Sequence, residues 1–280
     1  MTGSRIANKD LVTPTSLTAV SGYVQQDDLF IPSLTVREHL IFQARVRMDR
    51  DIPMEHRMAR VEKVIQELGL GMAADTLIGG ERMKGISGGE RKRLSFASEF
   101  LTNPPLLFCD EPTSGFDSFM AQSVMELLSN LARMGKTIIC TIHQPSSQLF
   151  SNFDKLLLLA DGRTAYLGEA SKAKDFFCSI NYPCPPDYNP ADHFVQVLAV
   201  VPGKEEQCRE RVTTICHQFS ESDTGINIRS AVKTEESDVT EKEQSKSEKV
   251  SPHKASWGEQ FVLWLGDKHW LSSRTPCLFR

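Results

Sequence analysis

The 280-residue sequence lacks an excess of basic residues, since 32 lysines and arginines stand against 36 aspartates and glutamates, for a net charge of −4. Proteins that hold nucleic acid by its phosphates usually carry a basic field, so we expect no nucleic-acid partner. There is also no run of about 18 apolar residues, and the first residues, MTGSRIANKDLV, have no apolar signal-peptide core. We therefore expect no membrane-spanning segment within this sequence.

The seven cysteines form no CxxC pair, and no histidine follows at zinc-ligand spacing. Their odd number and scattered positions favour reduced thiols in a cytosolic setting. Cys216 next to His217 has no second ligand pair, so we interpret it as incidental. We predict no metal bound by cysteine.

Two helices are indicated before residue 85. Thr35 and Glu38 form a capping-box pattern, which predicts a helix over about 36 to 48. After Pro53, apolar residues at steps of three and four predict an amphipathic helix that Gly69 ends. Residues 30–85 are therefore expected to form a helical insert.

Short apolar runs follow at residues 105–109, 137–142 and 155–159, and such runs are typical of buried parallel strands. Residues 118–134 have helical spacing, which completes a strand-helix-strand unit between the first two runs. Residues 220–256 have few apolar residues and dense charge of both signs, which predicts a disordered linker.

The strongest local motif is Ser87-Gly-Gly-Glu90 at the start of an apolar helix. Free amides, a hydroxyl and the positive end of the helix dipole would converge there, as phosphate binding requires. Ser87, Gly88, Gly89 and Glu90 are therefore candidate phosphate-binding residues. Two glycines before a helix are equally compatible with a flexible hinge.

A pair of acids, Asp110 and Glu111, ends the first apolar run, which is the form of a Walker B strand. Ligands of α/β sheets bind at the carboxyl ends of strands. Asp110 would hold Mg²⁺ directly or through water, and Glu111 would polarise the attacking water. The alternative is that two acids merely end a strand.

Two further motifs complete a specific order: residues 112–117 (PTSGFD), and His143-Gln-Pro-Ser146 after the second strand. The succession resembles the signature loop, Walker B strand, D-loop and switch histidine of an ATP-binding cassette. The resemblance implies that Asp117 and the signature residues contact ATP and that His143 senses the γ-phosphate. Residues 21–28 resemble the Q-loop, whose glutamine, Gln26, would reach Mg²⁺ and the catalytic water.

Three strings, YVQQDDLF, TIHQPSS and NPADHF, are similar to the White branch of ABC subfamily G. The resemblance implies a half-transporter that pairs with a second half-transporter as a homo- or heterodimer and uses ATP and Mg²⁺. It also implies a cassette on the cytosolic face of a membrane, linked to a transmembrane domain absent from this sequence. Pigment precursors, such as guanine or tryptophan derivatives, are the implied substrates.

The expected fold class is α/β: an ABC-type P-loop NTPase cassette with an incomplete RecA-like sheet core and a helical signature subdomain. We predict a cassette over 1–219, with its helical subdomain at about 30–104 and the linker at 220–256. Residues 257–280 are predicted to begin a connecting helix and then diverge from the family after Leu265.

The sequence departs from the family because it contains no G-x4-G-K-[ST] phosphate-binding loop. The nearest string, Met134-Gly-Lys-Thr137, leads into a strand instead of a helix. We expect a cassette truncated at both ends. Three functions remain open: an ATP-hydrolysing transporter subunit, a non-catalytic fragment or splice product that dimerises, and a soluble cassette ATPase of the DNA-repair or translation type. NPADHF and residues 255–265 argue against the third.

Overall fold

The structure is a computed structural model that describes residues 6–7, 10–11, 14–80 and 83–242. This part of the chain forms two compact units, which divide between Ile142 and His143. The N-terminal unit comprises the described residues from 14 to 142. The C-terminal unit comprises residues 143–242 together with the four described residues before position 12.

The strands of the described residues are, in chain order, β1 (Ile6–Ala7), β2 (Asp10–Leu11), β3 (Ser21–Val24), β4 (Leu106–Asp110), β5 (Thr137–Thr141), β6 (Lys155–Ala160) and β7 (Arg163–Glu169). The helices are α1 (Pro14–Val20), α2 (Val36–Arg47), α3 (Met54–Glu67), α4 (Gly88–Phe100), α5 (Ser118–Arg133), α6 (Ser147–Phe150), α7 (Ala173–Ser179), α8 (Pro190–Leu198), α9 (Glu205–Glu221) and α10 (Asp223–Lys242). None of these helices is long and apolar enough to cross a membrane.

The N-terminal unit is built on a parallel sheet in the order β3-β4-β5. Helix α5 connects β4 to β5, so the predicted strand-helix-strand unit is confirmed. Asp110 at the end of β4 is the register partner of Thr141 at the end of β5. The carboxyl ends of the strands therefore meet at one edge of the sheet, where ligands of α/β sheets bind.

The two predicted helices between β3 and β4 begin and end close to where the sequence indicates. Helix α2 has the predicted capping box of Thr35 and Glu38, and α3 is followed by Gly69 at a φ of +65°. Leu40 and Ile65 are fully buried, as are Leu94 and Phe96 of α4. Both helix predictions are confirmed.

The third predicted strand, residues 155–159, is present, but the prediction that it is a buried parallel strand is wrong. Strand β6 does not join the parallel sheet, because it pairs antiparallel with β7 in a hairpin. Asp161 and Gly162 at the turn have φ values of +49° and +73°, the left-handed pair that a two-residue hairpin requires. Nor is β6 fully buried, since Leu157 and Leu159 are exposed.

The C-terminal unit has an aromatic core of its own, in which the rings of Phe177 and Phe194 stack with centroids 4.5 Å apart. Tyr166 of β7 and Phe219 of α9 extend this core, with ring centroids 5.7 Å apart. The hairpin and helices α7, α8 and α9 are held together by this burial.

The prediction of a disordered linker from residue 220 is wrong up to residue 242. Helix α9 continues to Glu221, and α10 follows at once. Ile228 packs on the aromatic core, and the start of α10 lies so close to α9 that a Cβ at Gly225 would meet the carbonyl oxygen of Phe219 at 2.1 Å. The rest of the predicted linker, 243–256, and residues 257–280 lie outside the described residues.

Candidate functional site

Asp110, the last residue of β4, is held by two hydroxyl groups. Thr141 Oγ1 donates to Asp110 Oδ1 at 2.6 Å, and the Tyr23 hydroxyl donates to Oδ2 at 3.0 Å. These hydrogen bonds, from Thr141 and then Tyr23, lower the pKa of Asp110, because they favour its ionised form. The hydrogen bond between Tyr23 and Asp110 also raises the pKa of Tyr23. Asp110 therefore presents a fixed carboxylate at the sheet edge.

Glu111 turns the chain sharply after β4, with a φ of +41° that few residues other than glycine adopt. Its N–H donates to Thr141 Oγ1 at 3.0 Å, and its carboxylate Oε2 accepts from Gln26 Nε2 at 2.9 Å. The structure therefore brings three of the predicted site residues, Gln26, Asp110 and Glu111, together at one edge. Thr141 links both acids through a single hydroxyl.

The loop that carries Gln26 is tied to helix α4 by Lys92, whose side chain is almost completely buried. Its ammonium donates to the carbonyl oxygens of Gln25 at 2.8 Å and Gln26 at 3.0 Å, and it pairs with Asp28 at 3.4 Å. Burial raises the pKa of Asp28, and Lys92 opposes that shift. Lys92 thus fixes the loop after β3.

The predicted phosphate-binding residues lie at the start of α4, where Ser87 is the N-cap. Glu90 N–H donates to Ser87 Oγ at 3.3 Å, and Ser87 N–H donates to Glu90 Oε2 at 2.8 Å, which completes a capping box. Ser87 and Gly88 are exposed, whereas Gly89 is buried. The helix start is therefore open to solvent on its Ser87-Gly88 side.

Helix α5 begins beside α4. A Cβ at Gly89 would lie 2.0 Å from Met120 Cε, and one at Gly88 would lie 3.6 Å from the Phe116 ring. Asp117, the remaining predicted ATP contact, is the N-cap of α5 and accepts the Met120 N–H at 2.8 Å. The two helix starts form one surface, which we call the signature surface: residues 87–90 with Asp117.

Asp110 and Glu111 with Gln26, which we call the acidic edge, share no hydrogen bond with the signature surface among the described residues. The structure therefore distributes the predicted site over two groups of the N-terminal unit.

His143 is the first residue of the C-terminal unit and is exposed. The loop after it is ordered by Ser146, which caps α6 by accepting the Leu149 N–H at 3.3 Å, and by Asn189, whose Nδ2 donates to the Pro145 carbonyl at 2.8 Å. Gln144 has a φ of +44°. The role of His143 as a phosphate sensor stays a prediction.

The acidic edge presents oxygen atoms of the kind that Mg²⁺ prefers as ligands. Among the described residues, no three histidine, cysteine or acidic side chains are placed to hold a metal ion together. Mg²⁺ usually binds one or two carboxylates and completes its shell with water and substrate phosphates. Asp110, with the amide oxygen of Gln26, provides such a partial oxygen set.

Sequence reasoning missed Tyr23, Lys92 and Thr141. Tyr23 is three residues before Gln26, and Thr141 is two residues before His143. Both lie at or near strand ends next to predicted motifs, but such residues are common at strand ends and do not indicate a role by themselves. Lys92 gave no signal either, because it lies within the charged run Glu90-Arg-Lys-Arg93 and only the structure shows that its side chain is buried.

Two family models match the chain. The model described as ABC transporter matches residues 2–114, and the model described as ABC-2 type transporter matches residues 143–266. The first match contains the β3 loop, the signature surface up to Glu90 and the acidic edge up to Glu111. Together the two matches cover most of the sequence.

Individual relatives agree with the family matches. The chain is 53% identical over 273 residues to the protein white of Drosophila melanogaster, covering 96% of this chain and 39% of that protein. It is 52% identical over 204 residues to the protein scarlet of the same organism, covering 72% of this chain and 31% of that protein. A mouse broad substrate specificity ATP-binding cassette transporter, ABCG2, is 44% identical over 202 residues. The chain spans about two fifths of the length of the first of these relatives. On these matches, the chain belongs to the White-type G subfamily of ABC transporters.

Proposed function

We propose that this chain contributes cassette residues to a G-subfamily transporter in which ATP binding and hydrolysis drive a substrate across a membrane. The observation that supports the proposal is the acidic edge, where Thr141 and Gln26 hold Asp110 and Glu111 side by side. Paired acids at the carboxyl end of a parallel sheet, with one fixed by hydroxyls, suit metal-assisted phosphoryl transfer.

Asp110 is the proposed metal residue. An aspartate is ionised at neutral pH, and the hydrogen bonds from Thr141 and Tyr23 lower its pKa further and so favour the form that binds Mg²⁺. When bound, Mg²⁺ would offset the negative charge on the phosphates. Gln26 is the second proposed oxygen ligand, and Lys92 fixes the backbone that presents it.

Glu111 is the proposed residue for the attacking water. Gln26 occupies its Oε2 at 2.9 Å, which orients the carboxylate and leaves Oε1 to accept a proton from water. We propose that His143 contacts the γ-phosphate, a role supported by its place in the order of cassette motifs.

The signature surface is proposed to face ATP held by a second half-transporter. Ser87 and Gly88 are open to solvent at a helix N-terminus, where backbone amides favour an anion. The proposed assembly is therefore a homo- or heterodimer.

A second candidate function concerns these 280 residues taken as an isolated polypeptide, which would pair with a complete cassette without being catalytic itself. The 280 residues contain no G-x4-G-K-[ST] loop, which provides the amides and lysine that hold the β- and γ-phosphates. The acids of the sheet edge act on an anchored nucleotide and repel a free one. We expect this chain alone to bind MgATP weakly and not to turn it over.

The substrate and location are proposed from the White-type resemblance. Pigment precursors such as guanine or tryptophan derivatives are the proposed cargo, and the cytosolic face of a membrane is the proposed site of the cassette. Transport assays of a complete relative paired with alternative half-transporters would test the cargo.

Titration calorimetry and phosphate-release assays on the full chain, with and without a complete White-type half-transporter, test the ATP proposal. We expect negligible turnover alone and ATP-dependent association with the partner. Micromolar MgATP affinity and steady turnover by the lone chain would contradict the non-catalytic function. Failure to associate under any nucleotide condition would contradict the proposed dimer.

Ser87 offers a matched pair of variants for the signature surface. Ser87→Asp keeps an N-cap acceptor but places a negative charge where phosphate would lie and beside the Glu90 carboxylate, to which the Ser87 hydroxyl donates at 2.8 Å, so it should abolish ATP-dependent association. Ser87→Asn keeps the cap without the charge and is the control. Gly89 is a poorer position, because any side chain there meets Met120. Equal association by both Ser87 variants would count against phosphate binding at this surface.

A further inference from the structure

Two free cysteines face each other across the strands that carry the acidic edge. Cys109 of β4 and Cys140 of β5 are register partners in the parallel sheet, so their side chains lie on the same face. Cys109 is buried, with 2% of its surface exposed, and Cys140 is partly exposed. One thiol of the pair is therefore within reach of a small solute.

The two thiols of the pair differ in their surroundings. Interaction with Cys140 raises the pKa of Cys109, and interaction with Cys109 lowers the pKa of Cys140. Burial adds to the rise at Cys109 and opposes the fall at Cys140. Cys140 is the nucleophile of the pair, because it is the thiol that a peroxide in the solvent can reach.

The backbone spacing permits a bond between them. Neighbouring strands lie about 4.7–4.9 Å apart, inside the range of about 4.4–6.8 Å between the Cα atoms of a disulfide. The Cβ atoms of a disulfide are closer, at about 3.5–4.5 Å, so closure must draw the two strands together locally. A disulfide formed under such strain is readily reduced.

We propose that Cys109 and Cys140 are an oxidative modification site that a peroxide converts to a reversible intrachain disulfide. The Cys140 thiolate attacks one peroxide oxygen, the O–O bond breaks, and Cys140 becomes a sulfenic acid as the other oxygen leaves as water after protonation. The Cys109 sulfur then attacks the Cys140 sulfur, and the sulfenic oxygen leaves as a second water. Two thiols are oxidised and one hydrogen peroxide is reduced to two waters.

The bond would act on the acidic edge, because the next register pair is Asp110 with Thr141. Their hydrogen bond is 2.6 Å long, and movement of β4 against β5 would change it. Oxidation is therefore expected to change the geometry of the Thr141–Asp110 hydrogen bond. This consequence concerns the edge itself, and only its effect on ATP chemistry rests on the proposed function.

The test is thiol mapping of the full chain after treatment with hydrogen peroxide. The background carries serine at the other cysteines that are exposed, partly exposed or outside the described residues, Cys178, Cys184 and Cys277. Peptide mass spectrometry should find a cross-linked pair, Cys109 with Cys140, that has lost two hydrogens and is restored by dithiothreitol. Cross-links at other positions only, or Cys140 oxidised to an acid beside a free Cys109, would overturn the proposal.

Two controls separate this site from general thiol oxidation. Cys208 and Cys216 are also buried, but both lie on α9 and have no strand partner, so they should stay reduced at peroxide levels that close the pair. Cys140→Ser should leave Cys109 reduced, because the exposed nucleophile is gone. Loss of the Cys109 thiol in Cys140→Ser at the same rate would show that Cys109 reacts independently and would contradict the mechanism. The mapping does not depend on ATP, so the proposed function can fail without affecting this result.

Discussion

Replacement of Lys92 by methionine is expected to release the loop that carries Gln26. The ammonium has two carbonyl partners, at 2.8 and 3.0 Å, and an ion pair with Asp28 at 3.4 Å. Methionine keeps most of the buried chain volume but removes all three contacts. The predicted defect is therefore electrostatic and not a packing loss.

The loss of unfolding free energy in Lys92→Met depends mainly on the carboxylate of Asp28. Removal of one partner of a buried ion pair costs roughly 3–5 kcal/mol, because the other charge stays buried and unpaired. The side chain of Asp28 is 12% exposed, and Gln25 and Gln26 are exposed enough for water to reach their carbonyls. We therefore expect Lys92→Met to lower the free energy of unfolding by about 2–4 kcal/mol.

The pH dependence of this loss has a definite sign. Burial already raises the pKa of Asp28 in the folded state, so its contribution to stability is present at low pH and falls as the pH rises through that pKa. Without Lys92 the folded-state pKa should rise further. The difference between the variant and the native chain should thus be small near pH 4, about the usual pKa of aspartate, and full at pH 7.

Urea denaturation followed by circular dichroism at both pH values measures the effect, and hydrogen exchange of residues 25–28 locates it. Lys63→Met is the matched control, since Lys63 is 67% exposed in its pair with Glu67 and its loss should cost less than about 1 kcal/mol. Asp28→Asn in the Lys92→Met background should recover part of the stability. Equal losses for Lys63→Met and Lys92→Met at pH 7, or a larger Lys92→Met loss at pH 4, would refute the reasoning.

Further predictions concern the two groups of the candidate site. Thr141→Val should raise the pKa of Asp110, measured by carboxyl NMR titration, whereas Thr141→Ser keeps the hydroxyl and should not; equal pKa values in both variants would contradict the assigned hydrogen bond. Gly89→Ala should change the free energy of unfolding in urea by less than about 1 kcal/mol, because its Cβ meets Met120 Cε, the end of a flexible side chain that can turn away, and alanine favours the helix. In the Met120→Ala background the same substitution should be neutral or stabilising, and an equally large loss in both backgrounds would show that the contact is not its cause.

Local signals accounted for much of the N-terminal unit. Thr35 with Glu38, and Ser87 with Glu90, cap helices that begin where the pattern predicts, because a capping box is written in four consecutive residues. The position of Asp110 and Glu111 at the carboxyl edge of the sheet also followed from the sequence, because the two acids come directly after the apolar run of β4. The arrangement of Gln26 beside Glu111 came from the family resemblance, because 85 residues separate the two.

What the sequence did not predict depends on packing between distant segments. The apolar run of β6 is the same whether it pairs parallel or antiparallel, and only the Asp161-Gly162 turn distinguishes the two. Helix α10 looked too polar to fold, yet one residue, Ile228, together with the close approach of Gly225 to α9, places it on an aromatic core built by other elements. The composition of a segment shows how many apolar residues it contains, but it does not show which apolar surfaces of other elements are available for it to pack against.

The same limit explains why the anchoring residues were missed while the acids were found. Asp110 and Glu111 are recognisable because two adjacent acids are unusual after an apolar strand, whereas a threonine at a strand end is common and carries no such signal. Thr141 acquires its role only when β4 and β5 are placed in register, which brings its hydroxyl between the Asp110 carboxylate and the Glu111 N–H. The chemistry of the edge therefore depends on a pairing that is invisible in either strand alone, and the Cys109–Cys140 contact one residue earlier in the same register arises from the same pairing.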